Sequence, residues 1–85
     1  MKYSPKYNVK IIISKFGYMS RTELGRQIKA FRTKLKLSQD KLARKADIPF
    51  STLAKIEAGY TPNPSIETVY RIAKALNVKI DELIQ

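Results

Sequence analysis

The sequence predicts an all-α domain of five short helices, preceded by a short N-terminal extension of different character. Three observations carry that prediction. From Met19 onward the apolar residues recur at helical spacing. Each apolar stripe is bounded by residues that cap or stop helices. Strand-like alternation occurs only once, near the N-terminus. Residues 1–18 are the extension and residues 19–85 the helical domain.

The extension carries Lys2, Lys6, Lys10 and Lys15 and no acid. Tyr7, Val9, Ile11 and Ile13 alternate with Asn8, Lys10 and Ile12, and Gly17 ends the run. No second strand pattern follows, so this one has no internal partner. Three readings stay open. The segment pairs with its copy in a second subunit, forming an antiparallel ribbon that fixes a homodimer. It lies as a basic arm along DNA, with Lys2, Lys6 and Lys10 on phosphates. Or it is disordered. An unpaired edge with three isoleucines is an aggregation hazard, which favours the ribbon.

The first helix opens with "SRTE", a capping box of Ser20 and Glu23, with Met19 and Leu24 as its hydrophobic staple. Leu24, Ile28, Phe31 and Leu35 then mark one buried face. Ser38 caps a second helix that buries Leu42, Ala43 and Ala46. Pro49 suits the first turn of a third, which buries Leu53 and Ile56 and stops at Gly59. "YTPNPS" is a loop ending on the next N-cap, Ser65. The fourth helix presents Ile66, Val69, Tyr70, Ala73 and Leu76 on one side. Val78 and Ile80 lead into "DELI", a short last helix whose Asp81 and Glu82 suit the positive end of its dipole.

The break at Asp47-Ile48-Pro49 is the informative one. Two helices joined by a three- or four-residue turn and packed steeply form a helix-turn-helix unit. Such a crossing needs a small residue, and Ala43 stands there. The turn needs a residue that tolerates a left-handed backbone, then an apolar plug: Asp47 and Ile48 fill these places. The residue before a proline disfavours helical geometry, so Pro49 separates the helices.

Composition indicates partners. Against 7 Asp+Glu stand 17 Lys+Arg, a formal charge of +10, and a polyanion is the natural ligand of such a surface. There is no cysteine and no histidine, so disulfides, thiolate chemistry, the usual transition-metal ligand sets and the commonest general base are missing. No cofactor or metal is expected. No apolar run is long enough to span a membrane and no signal-peptide pattern stands at the start, so the expected location is the cytoplasm. "SQDK" and "TLAK" fit the Ser/Thr-x-x-Lys spacing of some acyl-transfer enzymes, but Ser38 is a cap and no companion motif appears. No enzyme is expected.

In "LGRQIKAFRTKLKLSQDKLARKADIPFSTLAKIEAG" followed by "PSIETVYRIAKALNVKIDEL", the sequence resembles the phage-repressor and Cro family of helix-turn-helix proteins, the XRE type. The likeness covers Thr22 through Leu83. It implies a lambda-repressor-like five-helix DNA-binding domain. The start of the second motif helix, Phe50, Ser51, Thr52 and Lys55, would enter the major groove of double-stranded DNA. Lys55 can donate to guanine O6 and N7, Ser51 can donate or accept, and Phe50 can pack on a thymine methyl. Phe50 has a second reading as a partner contact, and Thr52 as mere support of the helix start. The resemblance assigns Gln39 to a DNA phosphate, where the alternative is an ordinary polar residue of the first turn. Arg21 and Lys36 lie toward the same side as phosphate contacts, and the loop after Gly59 adds Tyr60, Thr61 and Asn63. Arg32 and Glu57 match a structural ion pair between the first helix and the end of the recognition helix. Lys41, Arg44 and Lys45 share an exposed side. Three positions depart from the family pattern: Asp47 replaces a turn glycine, Ala58 a phosphate-binding Asn, and Tyr60 a frequent Lys.

The function these readings imply is sequence-specific regulation of transcription, as a homodimeric repressor on a two-fold site. Two alternatives remain. One is an antitoxin that autoregulates its promoter and engages a toxin partner. The other is a protein-interaction module of the bridging-coactivator type.

Overall fold

A computed structural model describes residues 21–60 and 64–84. Among them five helices follow one another: α1 (Arg21–Lys34), α2 (Gln39–Ala46), α3 (Phe50–Ala58), α4 (Ile66–Ala75) and α5 (Ile80–Leu83). The expected strand, the Ser20 cap and the Met19 staple lie outside the described residues.

The helices close round one apolar core. Leu24 and Ile28 enter it from α1, Leu42, Ala43 and Ala46 from α2, Leu53 and Ile56 from α3. Val69, Ile72, Ala73 and Leu76 come from α4 and its end, and Ile80, Leu83 and Ile84 close the base. α1 packs on α3, α2 lies between α3 and α4, and α5 bridges α4 and α1. Among the described residues no buried side-chain polar atom lacks a hydrogen-bond partner.

The helix starts follow the sequence signals. Ser38 Oγ accepts from the Lys41 amide at 3.1 Å, and Ser65 Oγ from the Thr68 amide at 3.0 Å. The Lys79 amide donates to Glu82 Oε1 at 2.9 Å at the start of α5. Pro49 stands one position earlier than its sequence reading, at the N-cap of α3 with an extended backbone.

Four helices end alike. Lys36, Asp47, Gly59 and Asn77 take positive φ angles of 59°, 58°, 80° and 59°. At each, the left-handed residue and its successor return amide bonds to the last turn, as in Leu37 to Arg32 at 3.1 Å and Ile48 to Ala43 at 3.0 Å. Tyr60 to Lys55 at 2.9 Å and Val78 to Ala73 at 3.0 Å repeat the pattern, a Schellman motif. Leu37, Ile48 and Val78 then turn toward the core, whereas Tyr60 stays 77% exposed.

This ending corrects the expected face of α1. Leu35 continues the apolar spacing but is 49% exposed. The helix has stopped at Lys34, Leu35 lies in the reversing turn, and Leu37 packs inward instead. In α4 the apolar stripe is wider than the spacing suggests, because Ile72 is fully buried beside Val69 and Ala73.

One close approach sets how α1 sits on α3. Gly25 is buried, and a Cβ built there would lie 2.6 Å from the carbonyl oxygens of both Ile56 and Glu57. Only a glycine lets the two backbones meet at that distance.

Candidate nucleic-acid interface

α2 and α3 form the helix-turn-helix. Ala43 is buried at the crossing, Asp47 takes the left-handed turn position at φ 58° and ψ 47°, and Ile48 packs on the core behind it. Leu53 and Ile56 hold α3 down. The opposite side of α3 therefore faces outward.

That side carries Ser51, Lys55 and Ala58, all exposed, with the half-buried Ala54 between them. Spaced i, i+3, i+4 and i+7, they form one stripe along the helix. Phe50 opens the helix at the edge of the stripe, 50% exposed. Thr52 is half-buried on the flank beside Ile56. Ser51 and Lys55 thus stand one turn apart with their polar ends in solvent, as base-edge contacts require. Ala54 went unnoticed in the sequence, although its spacing from Ser51 and Ala58 places it in the stripe. The short alanine side chains let a groove floor approach the helix, and their methyls can meet a thymine methyl.

At the other end of α3, Arg32 Nε donates to Glu57 Oε2 at 2.7 Å and Arg32 Nη2 to Glu57 Oε1 at 3.0 Å, a bidentate pair. Arg32 Nη1 also donates to the Leu37 carbonyl at 2.8 Å, in the turn leading to α2. Gln39 Nε2 donates to Glu57 Oε1 at 3.0 Å. One carboxylate thereby ties α1, the start of α2 and the end of α3. Gln39 is held by one amide hydrogen, and its second hydrogen remains for another acceptor. Ser38 takes the Lys41 amide, and the amides of Gln39 and Asp40 have no acceptor within the helix, a situation that favours a phosphate.

Lys36 is exposed in its turn just before α2, and Tyr60 is exposed just after α3. Because Gln39 touches Glu57, the opening of α2 lies against the last turn of α3, the turn that Tyr60 follows. Phe50 and Ser51 lie at the opposite end of α3, roughly 12 Å away along a nine-residue helix. The side chain of Arg21, together with Thr61 and Asn63, falls outside what the structure describes. Lys41 and Lys45 are exposed, and Arg44 pairs with Asp40 at 3.1 Å.

A residue absent from the sequence reading completes the turn. Arg71 of α4 donates through Nη1 to the Asp47 carbonyl at 3.1 Å, and lies 3.8 Å from the Asp47 carboxylate. Its Nη2 donates to Glu67 at 3.0 Å. The partners stand 24 positions apart in the sequence, with no local signal that they meet.

The fold and this outward-facing second helix define a helix-turn-helix domain. Residues 28–83 match the family model described as "Helix-turn-helix", and the chain belongs to that family, in its XRE-type branch. It is 35% identical over 57 residues to an uncharacterized HTH-type transcriptional regulator of Archaeoglobus fulgidus, covering 67% of this chain and 79% of that one. It is 39% identical over 61 residues to the immunity repressor protein of Bacillus phage phi105, covering 72% of this chain and 42% of the repressor. Among solved structures, the biofilm master regulator SinR of Bacillus subtilis in complex with DNA superposes with a TM-score of 0.70 at 32% identity. That match covers 73% of this chain and 98% of the other.

Proposed function

We propose that this chain is a transcriptional regulator that reads double-stranded DNA by sequence, inserting α3 into the major groove as one half of a homodimeric repressor. The observation that carries the reading is the outward stripe of α3. It combines two polar side chains suited to base edges with two alanines that leave room for the groove, on a helix pinned by Leu53, Ile56 and Glu57. Phe50 borders the stripe, and Thr52 supports the start of the helix. Gln39, Lys36 and Tyr60 grip phosphate at the far end, with Arg21, Thr61 and Asn63 as further contacts. The excess of Lys and Arg supplies salt-dependent affinity through counterion release. Family membership and SinR's capture on DNA support this binding role over catalysis, and a cytoplasmic site of action follows from it.

The test is selection of the protein on a pool of randomised duplexes at near-physiological salt. Enrichment of a two-fold site with half-sites about 34–36 Å apart supports a dimeric operator binder. Ser51→Ala and Lys55→Ala should then each lose roughly 1–3 kcal/mol of discrimination at their own base positions. Weak binding without an enriched sequence sinks the proposal. The half-exposed Phe50 would then become the place to look for a protein partner, toxin or otherwise.

A further inference from the structure

Asp47 and Arg71 explain each other. The position after α2 must be left-handed, and aspartate adopts that backbone at a cost glycine avoids. The Asp47 side chain is almost wholly exposed and adds no packing to the turn. The Asp47 and Ile48 amides close the end of α2 and Ile48 packs on the core, while Arg71 adds a further tie on the carbonyl side. One guanidinium nitrogen binds the carbonyl of the left-handed residue at 3.1 Å, while the Asp47 carboxylate lies 3.8 Å away. Glu67, one turn earlier on α4, takes the other nitrogen at 3.0 Å and aims the fork at the turn. The Asp47 amide is already used in the end of α2, so this carbonyl is the group through which α4 reaches the turn.

We propose that Arg71 is a positioning residue for DNA reading. From α4 it locks the Asp47 turn and so fixes the angle at which α3 leaves α2. This inference rests on the reading of α3 as the base-contacting helix. Arg71 touches no base. A looser turn leaves phosphate contacts largely intact, because long cations adapt to small shifts. It spoils base contacts, which depend on the direction of short side chains such as Ser51. The signature of the brace is therefore a loss of discrimination at nearly constant non-specific binding.

The experiment compares the affinity of the full chain for its selected duplex with that for an unrelated duplex of equal length, at fixed salt. Arg71→Ala and Arg71→Lys should each lower that ratio roughly fivefold, the scale of one hydrogen bond. Lysine keeps the charge but not the fork, so it separates geometry from electrostatics. It also carries the test should Arg71→Ala fail to fold. In an Asp47→Gly background the backbone carbonyl that Arg71 binds is kept and only the carboxylate is gone, so the loss caused by Arg71→Ala should persist to within roughly twofold. A parent protein without sequence preference overturns the base-reading role of α3, and with it that of Arg71. A discriminating parent whose ratio Arg71→Lys leaves unchanged overturns the brace alone. A loss that vanishes in the Asp47→Gly background overturns the carbonyl as its route.

Discussion

Two arginine clusters fasten the helix-turn-helix to the rest of the domain, and they differ in burial. At the α1–α3 junction, Arg32 and Glu57 are 11% and 3% exposed and meet at 2.7 Å, with Gln39 and the Leu37 carbonyl completing the set. At the α2–α4 junction, Arg71 and Asp47 are 38% and 96% exposed and their charged groups stand 3.8 Å apart. The residue types are nearly the same, but the energies are not. Removing one partner of a buried pair strands a charge away from water, whereas water and salt screen an exposed pair. The first cluster is a condition of folding. The second adjusts a geometry that the core has already made.

The contrast breaks most directly at Glu57. Glu57→Ala should destabilise the domain by about 3–5 kcal/mol in denaturant unfolding, since it orphans Arg32 and frees Gln39. A loss near that of a surface pair would place the two clusters in one class. Gly25→Ala tests the same junction through the backbone. Its methyl would meet two carbonyl oxygens, and after the helix-propensity gain of alanine a net loss of about 2 kcal/mol is expected. Asp47→Gly works at the other junction and in the opposite direction. Relief of the left-handed backbone should raise stability by about 1 kcal/mol, less the small contribution of the exposed carboxylate. The smallest effect belongs to Arg71→Ala, about 0.5 kcal/mol in thermal unfolding, shrinking as salt is raised. A loss as large as that of Glu57→Ala would show that exposure does not separate the clusters.

The sequence disclosed most of the helix starts and the one break that are encoded within a few residues. Ser38, Ser65 and Gly59 name their helix ends because capping is a local exchange between one side chain and the nearest turn. Asp47 was legible as the left-handed position from the phase break between α2 and α3. Most of what escaped depends on contacts between distant segments, the stop at Lys36 being a local exception. Gly25 reads as a helix-weakening residue until α3 is laid across it. Arg71 reads as a solvated cation until α4 packs beside the turn. Leu35 fits the periodicity of α1 but lies past the point where Lys36 reverses the chain. Ile72 falls off the expected stripe because α4 is covered on more than one side. At the candidate interface, the outward position of Ser51 and Lys55 follows from the burial of Leu53 and Ile56. Which bases they would meet is written in the partner rather than in the chain.

The repeated helix ending has a kinetic consequence. Each of the first four helices carries its own stop within six residues, closed by amides that return to its last turn. Helix length is thus settled by short-range contacts, before distant segments need to meet. Proteins dominated by local contacts pay little loop-closure entropy on the way to the transition state and fold in microseconds to milliseconds. This domain should refold in that range, so that pairing of subunits, rather than folding of each, would set how soon a new chain can bind.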